Sequence, residues 1–305
     1  MGVLVWNRTA PIGRAGRTPV SVGTGARGSA MARRVTIIGA VLLVVFVAAV
    51  LLPFIAKARH QANVAASQNN LRELSLFAAR PANPDPRRAP AKGFTEVPAG
   101  TVVVPGVPPE ERLSWVVTML PVLDQRKVNS AQLLAALDTT KPWSFEPNQA
   151  AGRVRVPMLL CPENPPEVPP GAAAVTSYVG IGGLGASAAA LPLDAPRAGA
   201  VRYDAPTPFE RITDGISQTL LFAETRNDVG PWLRGGPATV RGLDDAPSAP
   251  PLVGAGGQFG GYFSGTANFA MCDGSVRTFT AAVEPRVLFG LSTIAGKDTD
   301  PAMID

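Results

Sequence analysis

Residues 267–280 read ANFAMCDGSVRTFT and set Asp273, Ser275, Arg277 and one of only two cysteines, Cys272, close together. A carboxylate beside a hydroxyl and a guanidinium suits acid–base or metal chemistry, but each role needs a partner. A Ser-His-Asp arrangement needs a histidine base, and the only histidine is His60, far upstream. Zinc sites built on two or three histidines are excluded on the same ground. Asp244 and Asp245, joined by Asp273, offer carboxylate oxygens to calcium, although EF-hand spacing is absent. Calcium is thus a weak candidate, and no other cofactor is expected. GIGGLG, Gly180–Gly185, matches the dinucleotide fingerprint, with Asp204 about twenty residues on. Pro192 interrupts the helix that this fingerprint requires, so the run is read as a Gly-rich loop. No nucleophile–base pair is legible, and the chain is not expected to be an enzyme.

The same residues also have structural readings. Alternation on both sides of Asp273-Gly274 marks a hairpin, with Gly favoured and Asp tolerated where φ is positive. Asp214-Gly215 marks a second turn ahead of an apolar strand. Cys161 and Cys272 are candidates for one disulfide. It would close a loop of about 110 residues and in principle contribute ~4–5 kcal/mol in an oxidising compartment. Two separate buried thiols are the alternative.

The elements that hold these residues follow from composition. Gly and Pro, at 31 each in 305 residues, favour turns over long helices. Six of the 28 Lys and Arg lie in residues 1–34, which hold no acid, leaving 22 against 23 Asp and Glu. The basic pI of 9.6 therefore belongs to the N-terminal arm, and the body offers no general attraction for nucleic acid. Val35–Ala56 is uncharged and, as a helix, rises roughly 33 Å, about the thickness of a bilayer core. Arg33 and Arg34 orient this span with its N-terminus in the cytoplasm. An uncleaved anchor is favoured over a signal peptide, because the apolar run is longer than usual. MARRVTII, starting at Met31, has the form of a usual start for an anchored protein. Val64, Leu71, Leu74 and Ala78 continue the helix outward on one face.

The expected organisation is a basic disordered arm over 1–32, a transmembrane helix over 33–56 and its extension over 57–79. A Pro-rich loop over 80–112 and an extracytoplasmic head over 113–305 follow. In the head, short helices are expected over 113–123 and 131–137, and strands over 153–162 and 174–183. A turn and strand over 212–225, the hairpin over 266–280 and a closing helix over 284–296 complete an α+β fold.

Several segments together resemble one bacterial family with a prepilin-type N-terminus and a C-terminal motif of His, nine residues, then Asp-Gly. Its members are similar to type II secretion pseudopilins, and their function is largely unassigned. The matching runs include LLPFIAKARHQANVAASQNNLREL, SWVVTMLPVLDQ, KPWSFEPNQAA, VPMLLCPENP, TSYVGIGG, FERITDGISQTLLFAET, GPWLRGGPATVRGLD, GGQFGG and ANFAMCDGSVRTF, in that order. The resemblance implies a pilin-like head, a mainly antiparallel sheet packed on the outer half of a long N-terminal helix. Three departures stand out. RRVTIIGAVLL lacks the Gly-Phe cleavage site and the acidic residue, Phe263 stands at the position of the family's histidine, and Ser67 stands where a cysteine is common.

These observations lead to a non-catalytic, membrane-anchored structural or interaction protein resembling pseudopilins. It would span the cytoplasmic membrane once and expose its head to the periplasm or the exterior. Its expected partners are the membrane and other pilin-like subunits, in a homo- or hetero-oligomer, with no nucleic acid. The alternative is an anchored head that binds carbohydrate, surface material or calcium.

Overall fold

The computed structural model describes the backbone of residues 25–78, 96–122 and 129–296. The start of the basic arm and the prolines of 80–92 lie outside the described residues. The chain divides into two units, residues 1–57 and 58–305.

Helix α1, Gly25–Ala78, begins inside the expected arm. Ala, Arg and Met in GARGSAMARR are good helix formers, which accounts for the earlier start. In the first unit its side chains from Val35 to Ile55 are exposed almost throughout, and almost all are apolar. Among the described residues one helix, Arg33–Leu76 near the N-terminus, is long and apolar enough to cross a membrane. Pro53 lies within α1. A proline there leaves one carbonyl of the preceding turn without its helical donor, which membrane helices tolerate.

In the second unit, α1 contributes Ser67, Leu71, Leu74, Ser75 and Ala78 to the interior. Their spacing forms one stripe along the helix. The remaining elements are β1 (Glu96–Val97), α2 (Val116–Met119), α3 (Ser130–Ala135), α4 (Glu146–Gly152), β2 (Tyr178–Leu184), β3 (Thr207–Pro208), β4 (Leu220–Glu224), β5 (Val240–Leu243), β6 (Thr266–Met271), β7 (Val276–Thr280) and α5 (Pro285–Ser292). Strands β1 and β3 pair alone, so the head begins before residue 113. The main sheet has the order β5-β2-β4-β6-β7 and is antiparallel except between β2 and β5.

Alternation assigns the two faces of this sheet. Tyr178, Phe222, Ala270, Cys272 and Val276 join Leu71 and Leu74 of α1 in one core. Trp115 stacks on Phe222 in that core, with ring centroids 4.5 Å apart. Val179, Ala223, Phe269, Met271 and Phe279 point the other way and join Leu252, Phe259 and Leu288 of α5. The head is thus an α+β fold whose sheet is covered on both faces.

Two expectations are corrected. Residues 153–162 form no strand. Pro157 opens a short 3-10 turn, Pro157–Leu159, and the carbonyls of Val154, Leu159 and Leu160 accept bonds from Trp232, Ser177 and Asn70 instead of a neighbouring strand. GIGGLG is not a loop, because β2 runs through it to Leu184. Its glycines permit close backbone approach: a Cβ on Gly183 (φ +120°) would lie 2.2 Å from the Arg197 carbonyl oxygen, and one on Gly199 would lie 2.3 Å from the Gly183 nitrogen.

Candidate functional site

Strand register brings a row of polar side chains across four strands. Tyr178 of β2 pairs with Glu224 of β4. Asn268 of β6 is the next position along the β4–β6 ladder, and it pairs with Thr278 of β7. This row lies beneath the outer part of α1, which supplies Ser67, Gln68 and Asn70.

Glu224 is its centre and is fully buried. The Ser67 hydroxyl donates to Oε2 at 2.7 Å, the Asn268 backbone N–H donates to Oε1 at 2.9 Å, and the Asn268 Nδ2 lies 3.1 Å from both oxygens. Among the described residues Glu224 forms no ion pair. Burial pushes its carboxyl pKa up, and the donors from Ser67 and Asn268 oppose that shift in part.

The hydroxyl chain has a direction. With Ser67 donating to the carboxylate, the Tyr178 hydroxyl (3.1 Å away) donates to Ser67, and Asn70 Nδ2 donates to Tyr178 at 3.3 Å. Gln68 Nε2 donates to Asn268 Oδ1 at 3.3 Å and to Thr278 Oγ1 at 3.1 Å. Thr278 in turn donates to Asn268 Oδ1 at 2.6 Å. Each of the strand residues in the row therefore has a partner on the helix, and α1 is hydrogen-bonded to all four strands. Chemically this is a lock between helix and sheet.

The Cys161 thiol lies beside Ser67 and is pushed up to about 12, mainly by burial. It packs with Tyr262 and Phe263, whereas Cys272 sits in the core under α1. Both thiols are free, so the candidate Cys161–Cys272 disulfide is not formed. The two cysteines belong to separate clusters.

Asp273 and Gly274 form the turn between β6 and β7. Gly274 has φ +85°, and Asp273 Oδ1 accepts from the Ser275 N–H at 2.8 Å and its hydroxyl at 2.7 Å. Such a four-residue connection, 272–275, with a left-handed glycine suits a hairpin. Gly215 is likewise left-handed, with φ +97°. Asp214 does more than turn the chain, since its Oδ2 accepts from the Gly296 N–H at 2.7 Å and ties down the segment after α5.

The three acids considered for calcium are not brought together. Asp245 pairs with Arg197 at 2.6 Å, and Asp244 Oδ1 accepts from the Ala246 N–H. Among the described residues no group of three or more His, Cys, Asp or Glu could hold a metal ion. His60 lies 3.6 Å from Glu163 and edge-on to Phe263, with centroids 5.7 Å apart.

Sequence reasoning passed over Glu224. The available signal was its place as the single acid of LLFAE, two residues from Phe222 and therefore on the same inward face.

No curated protein and no solved structure matches this chain. Residues 91–249 match the family model described as "Protein of unknown function (DUF1559)", a stretch that holds Glu224 and β2 to β5 but neither α1 nor the β6–β7 hairpin. As this match covers more than half of the sequence, the chain belongs to the DUF1559 family.

Proposed function

We propose that the protein is a non-catalytic, membrane-anchored, pseudopilin-like structural and interaction protein whose head lies outside the cytoplasm. The observation that carries this reading is the continuity of α1. One unbroken helix is apolar and exposed from Val35 to Ile55, and hydrogen-bonded to the head's sheet through Ser67, Gln68 and Asn70. Exposure of so much apolar surface is costly in water and favourable in a bilayer. The basic residues ahead of the apolar stretch support a cytoplasmic N-terminus. The non-catalytic part is supported by the site chemistry. Glu224 is sealed by donors, Cys161 is held as a thiol, and Asp273 is used within its own turn.

Assembly would rest on helix–helix packing in the membrane and contacts between heads. The span lacks the acidic residue that serves as a registry device between pilin subunits, since a carboxylate in the bilayer is costly without a partner. Alkaline extraction of membranes, followed by intact-mass measurement and in-membrane crosslinking, tests the proposal. Retention in the pellet with residues 35–56 present, and a ladder of crosslinked species, is the expected result. A soluble head that begins after Ala56 would overturn the anchor, and monomers alone would overturn the assembly.

A second reading, an anchored head that binds a ligand, is favoured by one observation: an open groove lined by three arginines.

A further inference from the structure

The groove lies between the segment 226–242 and the loop 250–259 and has a volume of 1330 Å³. Arg226, Arg234 and Arg241 line it. Among the described residues none of the three forms an ion pair, and the Arg226 side chain forms no hydrogen bond. An exposed, unbonded guanidinium keeps all five donors for a ligand.

The other two are fixed in place. Arg241 donates to the carbonyls of Pro237 at 2.9 Å, Asn227 at 3.0 Å and Asp228, and so holds the wall of the groove. Arg234 donates through Nε to the Glu110 carbonyl at 3.1 Å, and its guanidinium lies 5.5 Å over the Trp143 ring. That leaves both of its terminal nitrogens for a ligand, on a side chain already ordered by stacking. Little side-chain entropy remains to be lost when an anion binds there.

The groove is not uniformly positive, since Glu110, Asp228 and Asp244 also line it. These carboxylates accept hydrogen bonds and repel dense negative charge. The complementary ligand carries spaced anionic groups among hydroxyls. A volume above the roughly 300–1,000 Å³ of sites for small ligands fits several linked units better than one. The walls interleave these charged groups with apolar patches at Val229, Pro231, Pro237 and Pro250, a mixture that suits the apolar faces and polar rims of sugar rings better than a continuous acyl chain.

We infer that this arginine groove binds a carboxylated polysaccharide, with uronate carboxylates on Arg226 and Arg234 and hydroxyls on the acids. The inference deepens the second reading, ligand binding by an anchored head, and its test reads neither anchoring nor assembly.

Titration calorimetry of the full chain in detergent micelles, with oligogalacturonate as probe and dextran as neutral control, tests it. The expected result is saturable oligogalacturonate binding that weakens as salt rises and no binding of dextran. Arg226→Glu should weaken binding at least tenfold with the melting temperature unchanged, because its side chain holds nothing in the fold. Arg234→Lys, which keeps the charge but loses the fork, should fall between wild type and Arg226→Glu. Absence of oligogalacturonate binding, equal affinity in Arg226→Glu, or dextran binding as tightly would overturn the inference. So would binding of anionic phospholipid vesicles that oligogalacturonate fails to compete away. Failure of anchoring alone would show in the membrane extraction and leave this titration unaffected.

Discussion

Replacing Glu224 separates what its shape does from what its charge does. In Glu224→Ala three donors lose their acceptor: the Ser67 hydroxyl, the Asn268 backbone N–H and its Nδ2. Ser67 can turn toward Tyr178 Oη, 3.1 Å away, and the Asn268 amide can rotate. The Asn268 N–H is fixed in β6 and stays stranded. One stranded donor, a weakened amide and the cavity left by the side chain together cost about 3–5 kcal/mol. Glu224→Gln keeps a carbonyl for Asn268 and places its NH2 toward Ser67. The hydroxyl chain then reverses, Ser67 donating to Tyr178 and Tyr178 to the oxygen of a flipped Asn70 amide, which gives up its bond to the Leu160 carbonyl, and the expected cost is about 1–2 kcal/mol.

The two proteins should also respond differently to pH. Burial raises the Glu224 carboxyl above its ordinary 4.5. A carboxyl with a raised folded-state pKa contributes stability that is fully present below the unfolded value and lost as pH rises through the folded value. Glu224→Gln has no such loss, so its stability should improve relative to wild type from pH 4.5 upward. Urea unfolding of the full chain in micelles, read by tryptophan fluorescence, measures both effects. Trp115 is buried against Phe222 and reports on the same face of the sheet. Wild type gaining on Glu224→Gln over that pH window would refute the reasoning, as would equal costs for the Ala and Gln variants.

Two further outcomes test the turn and the thiols. Gly274→Val forces a β-branched residue to φ +85° with its Cβ 2.8 Å from Leu76 Cδ2, and should cost about 2–3 kcal/mol in the same unfolding assay. Asp273→Asn keeps Oδ1 for Ser275 and should cost about 0.5 kcal/mol or less; the reverse order would return Asp273 to functional status. Cys161 and Cys272 should resist thiol reagents at pH 8 in the folded chain and both react in urea, since burial raises both pKa values, that of Cys161 to about 12. An unreduced mass lower by two hydrogens would show a disulfide instead.

Much of the fold was legible because its signals are local. The hairpin at Asp273-Gly274, the closing helix and the strand ending in Glu224 each announce themselves within a short window. β5 was not legible, because four residues, VRGL, between glycine- and proline-rich segments become a strand only by pairing in parallel with β2. RVRVPMLL alternates like a strand, but its carbonyls are used by side chains and loops that no local pattern reveals.

The row under α1 was hidden for a different reason. Ser67, Gln68 and Asn70 look like the wet side of an amphipathic helix, and Glu224 and Asn268 look like interruptions of apolar strands. They become one site only when four strands align Tyr178, Glu224, Asn268 and Thr278. Leu71 and Leu74 alone would specify a docked face but not a position along it, since apolar contact is non-directional. Ser67, Gln68 and Asn70 meet their acceptors in one register only, because a slide by one helical turn would take the Ser67 donor from buried Glu224 and the Asn70 donor from buried Tyr178. Where the outer helix sits on the head is therefore set by the polar residues between the two layers, while the leucines make that contact favourable.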